Sequence, residues 1–374
     1  MPLSKDALQL LSHDGSVASG EAHDRYWPYV QALDEDTLSL MYSAMAITRA
    51  LDIEAGNLQR QGQMALWVPA IGQEGCQVGS ALASRPQDTI FPAYREHSVA
   101  RLRGVSMLQI VRMLRGITHG GWDPATHNNF RLYTLVIASH TLHATGYAMG
   151  IALDGDVASG DASVDEATMV YFGDGATSQG DTHEAMVFAQ SYQAPVLFFL
   201  QNNHWAISTP VRVQSRTPLY ERAAGYGIPA AQIDGNDPLI SYAVTKEMLD
   251  QTRSGGGPQF IEALTYRIGA HTTSDDPSKY RDEDELAFWT ERDPIARFRA
   301  YLTSQGMGGE YFDSVDQQAA DEVADFRRDV LALEAPPTSA MFEHVYSAPH
   351  KPLEAQAKWL AEFEASFVRG GDDQ

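Results

Sequence analysis

The chain has 374 residues, 44% of them hydrophobic, with a formal net charge of −22 at pH 7 and one cysteine. That length can bury an α/β core without covalent staples, and the lone Cys76 excludes an intrachain disulfide or a cysteine metal cluster. The acidic balance argues against nucleic acid or an anionic membrane as partner. No apolar run reaches transmembrane length and MPLSKDALQL has no signal-peptide core, so a reducing, cytoplasmic setting is expected.

Residues 1–33 are polar, with Tyr26, Trp27 and Tyr29 as aromatic anchors, and are expected to form an arm that packs on a neighbour or on the main domain. Asp34 suits the N-cap of a long amphipathic helix through Leu38, Met41, Met45, Leu51 and Leu58. Gln73 to Ala83 reads as a small-residue helix that allows close packing. Ile90 to Tyr94 reads as a short strand ending in Tyr94-Arg95. A guanidinium there can fork onto phosphate oxygens and a tyrosine hydroxyl adds a donor, although the dipeptide taken alone is more often surface. Gly116 to Arg131 is loop-like; His119 and His127 within it lack the further donors at defined spacing that zinc requires. A second small-residue helix is expected over Ala138 to Ala152, followed by an acidic, exposed insertion from Asp154 to Glu166.

The densest signal runs from Thr168 to Ser208. A β-branched and aromatic strand (Thr168 to Phe172), a helix spaced through Ala185, Met186 and Ala189, and an apolar strand (Pro195 to Leu200) follow one another. A crossover of that length makes the strands parallel and the connection right-handed, so both end at one edge of the sheet, where ligands bind. At those ends stand Gly173-Asp174-Gly175 and Asn202-Asn203. An anionic and a neutral oxygen suit a magnesium ion that keeps water or phosphate in its other positions. Glycines admit a phosphate close to the backbone, and the next helix offers its N-terminus to an anion. The pattern spells a metal and diphosphate site.

Farther on, Val211 to Arg222 reads as polar and irregular, Ala231 to Asp234 as a strand, the segment from Asp237 as a helix, and Gln259 to Thr265 as a strand. A long Gly-, Ser-, Asp- and Pro-containing loop follows, and His271 on it is the best general acid/base candidate, although a lone loop histidine is usually just solvated. Beyond Arg292 the chain reads as helical with charged faces and a polar tail, Arg369 to Gln374.

GDG followed by NN resembles the thiamine diphosphate fingerprint, which implies that Asp174 and Asn203 hold the metal on the cofactor's diphosphate, with Gly173, Gly175 and Ala176 beside it and a carbonyl from Trp205 on the metal. IFPAYREH resembles the thiamine diphosphate segment of 2-oxo acid dehydrogenase alpha subunits, in which Tyr94 and Arg95 would contact the diphosphate. The start of the second small-residue helix would place Ser139, His140 and Thr141 near the aminopyrimidine ring, through backbone contact. Gln201 stands where some relatives carry an arginine that reaches the diphosphate, which leaves more of that task to Arg95. YRIGAHTTSDDPSKYR is similar over its whole length to the active-site loop of the branched-chain alpha subunits, whereas pyruvate relatives tend to read YRYHGHSMSDP; Thr272 falls where animal relatives carry a regulatory phosphoserine.

The resemblance implies a thiamine-diphosphate-binding α/β fold: a mostly parallel, doubly wound sheet flanked by helices, with helical N- and C-terminal extensions. The expected division is an arm (1–33), a diphosphate-binding domain (34–345) and a helical tail (346–374). The implied function is that of the alpha subunit of a branched-chain 2-oxo acid dehydrogenase, with thiamine diphosphate and Mg2+ as cofactors. It would decarboxylate a 2-oxo acid oxidatively and acylate a lipoyl group reductively, with His271 orienting or protonating at the acyl stage. Implied partners are a beta subunit in an α2β2 assembly, whose facing domain supplies a glutamate to the aminopyrimidine ring, and a lipoyl-bearing acyltransferase core. Pyruvate or acetoin dehydrogenase alpha subunits are the alternatives. Phosphoryl transfer on a P-loop lacks its GxxxxGK[ST] motif, and a non-catalytic nucleotide-binding protein would need no poised histidine loop.

Overall fold

A computed structural model describes residue 4, residues 6–118 and residues 120–369. His119 and residues 370–374 of the polar tail therefore lie outside the described residues. The chain forms two compact units, Met1–Leu331 and Ala332–Gln374.

The first unit is built on five strands: β1 (Thr89–Phe91), β2 (Thr168–Gly173), β3 (Val196–Asn202), β6 (Ala230–Asp234) and β7 (Gln259–Leu264), with a small antiparallel pair, β4 (Trp205–Ala206) and β5 (Thr209–Pro210), outside the sheet. The order is β1-β2-β3-β7-β6 and every pairing is parallel. Strands covered on both faces read as continuous apolar runs rather than alternating ones, and β3 is buried along its whole length. On one face Val170, Phe172, Phe198 and Phe260 pack with Ala144 and Ala148 of the helix Ser139–Asp154 and with Ala185 and Ala189 of the helix Gly180–Tyr192. On the other, the Tyr171 hydroxyl meets Ser80 of the helix Glu74–Ala83 at 2.7 Å. That helix lies close along Pro238–Gln251, because a Cβ on Gly79 would stand 2.4 Å from the Pro238 carbonyl. The doubly wound sheet expected from the sequence is what forms.

The N-terminal segment packs on its own unit. Leu8 pairs in parallel with Ile233, so the outer edge of β6 is covered, and the Leu10 and Leu11 amides each donate to Asp237 Oδ2 at 2.7 Å. Asp34 caps the helix Glu35–Arg60 by accepting from the Thr37 amide at 2.8 Å, as its position before the apolar stripe predicts.

Two local expectations need correction. The strand expected to reach Tyr94 stops at Phe91, because Pro92 has no N–H for a ladder; Tyr94 and Arg95 sit on the turn leading to the helix His97–Leu102. The segment 211–222 holds a short helix, Val211–Gln214, and the start of a second, Glu221–Gly225, rather than irregular chain.

The second unit contains the helix Lys351–Arg369, with Trp359 and Phe363 stacked at 5.3 Å, and a 3-10 turn, Thr338–Phe342, tied to it by Thr338 Oγ1 donating to Glu364 at 2.8 Å. Among the described residues no helix is long and apolar enough to cross a membrane.

Candidate active site

Register brings the two motifs together. Gly173 of β2 stands opposite Gln201 of β3, so Asp174 and Asn203 leave the sheet side by side at its carboxyl edge. A cleft of about 580 Å³ opens there. Tyr94, Arg95, Gly173, Asp174, Gly175, Ala176, Asn203, Trp205 and His271, all expected from the sequence, line it. Ser139 and Thr141 do not: their hydroxyls donate to the carbonyls of Val136 and Ala138, at 2.8 and 2.6 Å. Their helix reaches the cleft instead through Ala138, held in the left-handed region at φ 74°, and His140. His127 stays in its own loop, bonded to Gln109 and the Asp123 carbonyl.

Asp174 begins the 3-10 turn after β2 and is 1% exposed. Gln214 Nε2 donates to its Oδ2 at 2.7 Å, and burial, only partly offset by that bond, pushes its pKa up to about 6. Asn203 donates from Nδ2 to Gln73 Oε1 at 2.9 Å, and its Oδ1 accepts from the Trp205 amide at 3.2 Å. The Trp205 carbonyl accepts from Arg267 Nη1 at 3.2 Å and has a second lone pair.

His271 is held by two guanidinium groups, with Nδ1 at 3.0 Å from Arg267 Nη1 and 3.3 Å from Arg95 Nη2. Guanidinium only donates, so Nδ1 accepts and the ring proton resides on Nε2. Burial, reinforced by the Arg95 and Arg267 charges, drives the His271 pKa down to about 3, so the ring is neutral. The loop is locked further by the His271 amide donating to Asp275 Oδ2 at 2.8 Å, by Tyr280 on the same carboxylate, and by Arg95 on the carbonyls of Pro69 and His271.

Sequence reasoning missed Arg267, Gln214 and Gln73. Arg267 lies inside the quoted loop motif, but only its burial and its contact with His271 four residues later reveal it; burial and the neighbouring Arg95 and Arg281 lower its pKa to about 10. Gln214 carried no signal in a segment read as irregular, and Gln73 read only as a helix start.

The residues fit a metal-bound diphosphate. Asp174 is a buried carboxylate whose only side-chain donor among the described residues is neutral Gln214, which leaves it short of a cation. Arg267 Nε and His140 Nδ1 are buried without a partner among the described residues. A Cβ on Gly173 would meet no protein atom within 4 Å, so the backbone there is open to a ligand. The described residues contain no group of three His, Cys, Asp or Glu side chains placed for a metal, and the small donor set suits an ion that brings its other oxygens with its ligand.

A parallel, doubly wound sheet with this cleft at its carboxyl edge is consistent with the α/β fold that binds thiamine diphosphate. The chain belongs to the dehydrogenase E1 component family, whose profile matches residues 42–335. That family comprises thiamine-diphosphate-dependent 2-oxo acid decarboxylases of dehydrogenase complexes. Among its relatives, the 3-methyl-2-oxobutanoate dehydrogenase subunit alpha of Mycobacterium tuberculosis (strain ATCC 25618 / H37Rv) is 39% identical over 363 residues, covering 96% of this chain and 95% of that one. The pyruvate dehydrogenase E1 component subunit alpha of Acholeplasma laidlawii is 38% identical over 328 residues (87% and 92%), and that of Bacillus cereus 35% over 321 residues (85% and 82%).

Proposed function

We propose that this chain is the alpha subunit of a branched-chain 2-oxo acid dehydrogenase, working in the cytoplasm with Mg2+ and thiamine diphosphate, a beta subunit in an α2β2 assembly, and a lipoyl-bearing acyltransferase core. The observation that supports the branched-chain assignment is the nearly end-to-end likeness to a 3-methyl-2-oxobutanoate dehydrogenase subunit alpha. A pyruvate dehydrogenase reading has almost the same identity behind it, over a smaller share of the chain.

When bound, the cofactor supplies a carbon nucleophile for the keto group and a sink for the electron pair released as carbon dioxide leaves. The chain's own residues bind and orient. Asp174, Asn203 and the Trp205 carbonyl would hold the magnesium ion, and Tyr94, Arg95 and Arg267 the diphosphate. Gly173, Gly175 and Ala176 let the backbone lie close to it. Ser139 and Thr141, their hydroxyls turned to backbone carbonyls, would meet the aminopyrimidine ring through backbone contact only, beside Ala138 and His140. His271, with its proton on Nε2, would donate a hydrogen bond to an oxygen of the reacting 2-oxo acid.

Asp174→Ala or Asn203→Ala is expected to leave the fold intact, since both side chains sit at strand ends rather than in the apolar core, and to weaken magnesium-dependent cofactor binding. A hydrogen bond to a charged group is worth about 1.5–3 kcal/mol and a metal ligand at least that. Calorimetry with Mg2+ and thiamine diphosphate measures the loss; unchanged affinity in both variants would remove the metal assignment. For the substrate, kcat/KM is expected to favour the 2-oxo acids of valine, leucine and isoleucine over pyruvate, by about 1–3 kcal/mol per accommodated methylene. Turnover of a panel of 2-oxo acids by the assembled enzyme decides, and a clear preference for pyruvate would transfer the chain to the pyruvate reading.

A further inference from the structure

Four buried side chains make one file of hydrogen bonds along the floor of the cleft. Asn203 Nδ2 donates to Gln73 Oε1 at 2.9 Å, Gln73 Nε2 to Gln201 Oε1 at 3.3 Å, and Gln201 Nε2 to Glu96 Oε1 at 2.6 Å. All four are at most 7% exposed, so water does not substitute for a missing partner. Each primary amide has one donating and one accepting end, and the file therefore has a direction. Its terminal group sets that direction, because both Glu96 oxygens accept, Oε1 from Gln201 and Oε2 from the Arg95 amide at 3.1 Å, two bonds that favour the carboxylate against the burial that raises its pKa. A side contact reinforces the sense: Gln77 Nε2 donates to Gln201 Oε1 at 2.9 Å, while Gln77 Oε1 takes the Ser98 amide at 3.2 Å. Reversing any one amide would set two donors or two acceptors face to face in a dry site, at the cost of unmade buried hydrogen bonds.

The consequence falls on the last member. With Nδ2 committed to Gln73 and Oδ1 accepting from the Trp205 amide at 3.2 Å, the Asn203 amide is held from both ends, and its oxygen keeps a second lone pair on the side away from Gln73. We propose that Glu96 is a positioning residue: acting through Gln201 and Gln73, and in the same sense as the Trp205 amide, it keeps the oxygen of Asn203, rather than its NH2, available to the cation. The identity of residue 201 matters to this. A guanidinium there would have no acceptor for Gln73 Nε2 and would interrupt the file, whereas glutamine transmits it. The inference rests on the metal-site reading above.

The test titrates Mg2+ calorimetrically into the full chain, assembled with its beta subunit, at saturating thiamine diphosphate. Glu96→Gln adds a donor at the end of the file without changing its shape, so an amide must turn. The expected result is Mg2+ affinity at least about tenfold weaker, the equivalent of one charge-assisted hydrogen bond. Adding Gln73→Glu moves the acceptor-only end next to Asn203 and lets Gln201 turn toward the amide introduced at position 96, leaving Gln77 Nε2 with the Arg95 carbonyl alone, so the double variant should bind Mg2+ more tightly than the single one, though short of wild type. A merely structural Glu96 would not be rescued by an acidic residue elsewhere in the file. Should Glu96→Gln fail to fold, Gln201→Met breaks the file without touching a charge and carries the same expectations, alone and with Gln73→Glu. Wild-type affinity in the single variant, or a double variant as weak as the single, overturns the relay while leaving the function standing. A wild-type assembly that binds neither Mg2+ nor cofactor overturns both.

Discussion

Replacing His271 with alanine is expected to lower kcat by about 10²–10⁴-fold, the usual range for a positioned proton-transfer or hydrogen-bonding group, with much less effect on cofactor affinity. The expectation follows from how the ring is held. Two arginines fix Nδ1 as an acceptor, which makes Nε2–H a donor of defined direction on a wall of the cleft. Asp174 and Asn203, on other loops, keep their places when the imidazole is removed, so the binding site survives. The neutral state also fixes the pH behaviour. A histidine whose folded pKa is about 3 against an unfolded 6.5 binds fewer protons folded than unfolded between those values. Its contribution to stability is fully present above about 6.5 and is lost as pH falls toward 3. Removing it should accordingly flatten acid destabilisation of the chain in that window, read as Tm against pH. Steady-state kinetics with a cofactor titration on the same preparation checks the main claim; near-wild-type turnover would make His271 a structural loop residue.

The purified chain alone is expected to show no decarboxylation with an artificial electron acceptor, and full activity is expected only once the beta subunit is added. The reason is the inventory of the cleft. Its carboxylates are Asp174, which the metal would occupy, and Glu96, which is committed to Arg95 and Gln201. Of its two histidines, His140 donates from Nε2 to the Tyr171 carbonyl at 2.6 Å, with burial lowering its pKa, and His271, held neutral, receives the two arginines. No lining carboxylate remains to exchange a proton with the aminopyrimidine ring. The rim tells the same story, since Leu135 and Ile137, which line the cleft, and the intervening Val136 are 59%, 39% and 70% exposed, an apolar edge suited to a covering surface. The described residues contain one parallel sheet, and no second one is present to face it. Activity with and without the candidate beta subunit, alongside a mass determination for α2β2, provides the measurement. Full turnover from this polypeptide alone would mean that the missing half lies within it.

Much of the frame was legible before any coordinate. The apolar run from Pro195 to Leu200 and its neighbour from Thr168 to Phe172, joined by one helix, could only be parallel, and that alone put Asp174 and Asn203 at one sheet edge. The cap at Asp34, the close-packing helix after Gln73 and the long loop carrying His271 were equally local, because propensity, punctuation and crossover length act over a few residues. Other features depended on which distant segments meet. Arg267 became a site residue only by folding against Arg95 and His271, and Gln214 only when a short helix in a polar stretch swung it onto Asp174. Ser139 and Thr141 turned their hydroxyls to backbone carbonyls, and the cleft wall there is made by the expected His140 and by Ala138, which the sequence did not single out. The tautomer of His271 and the orientation of the Asn203 amide are determined at the same level, since a hydrogen bond between residues far apart in the chain leaves no periodic trace in the sequence and is chosen by whatever donor or acceptor packing brings within 3 Å.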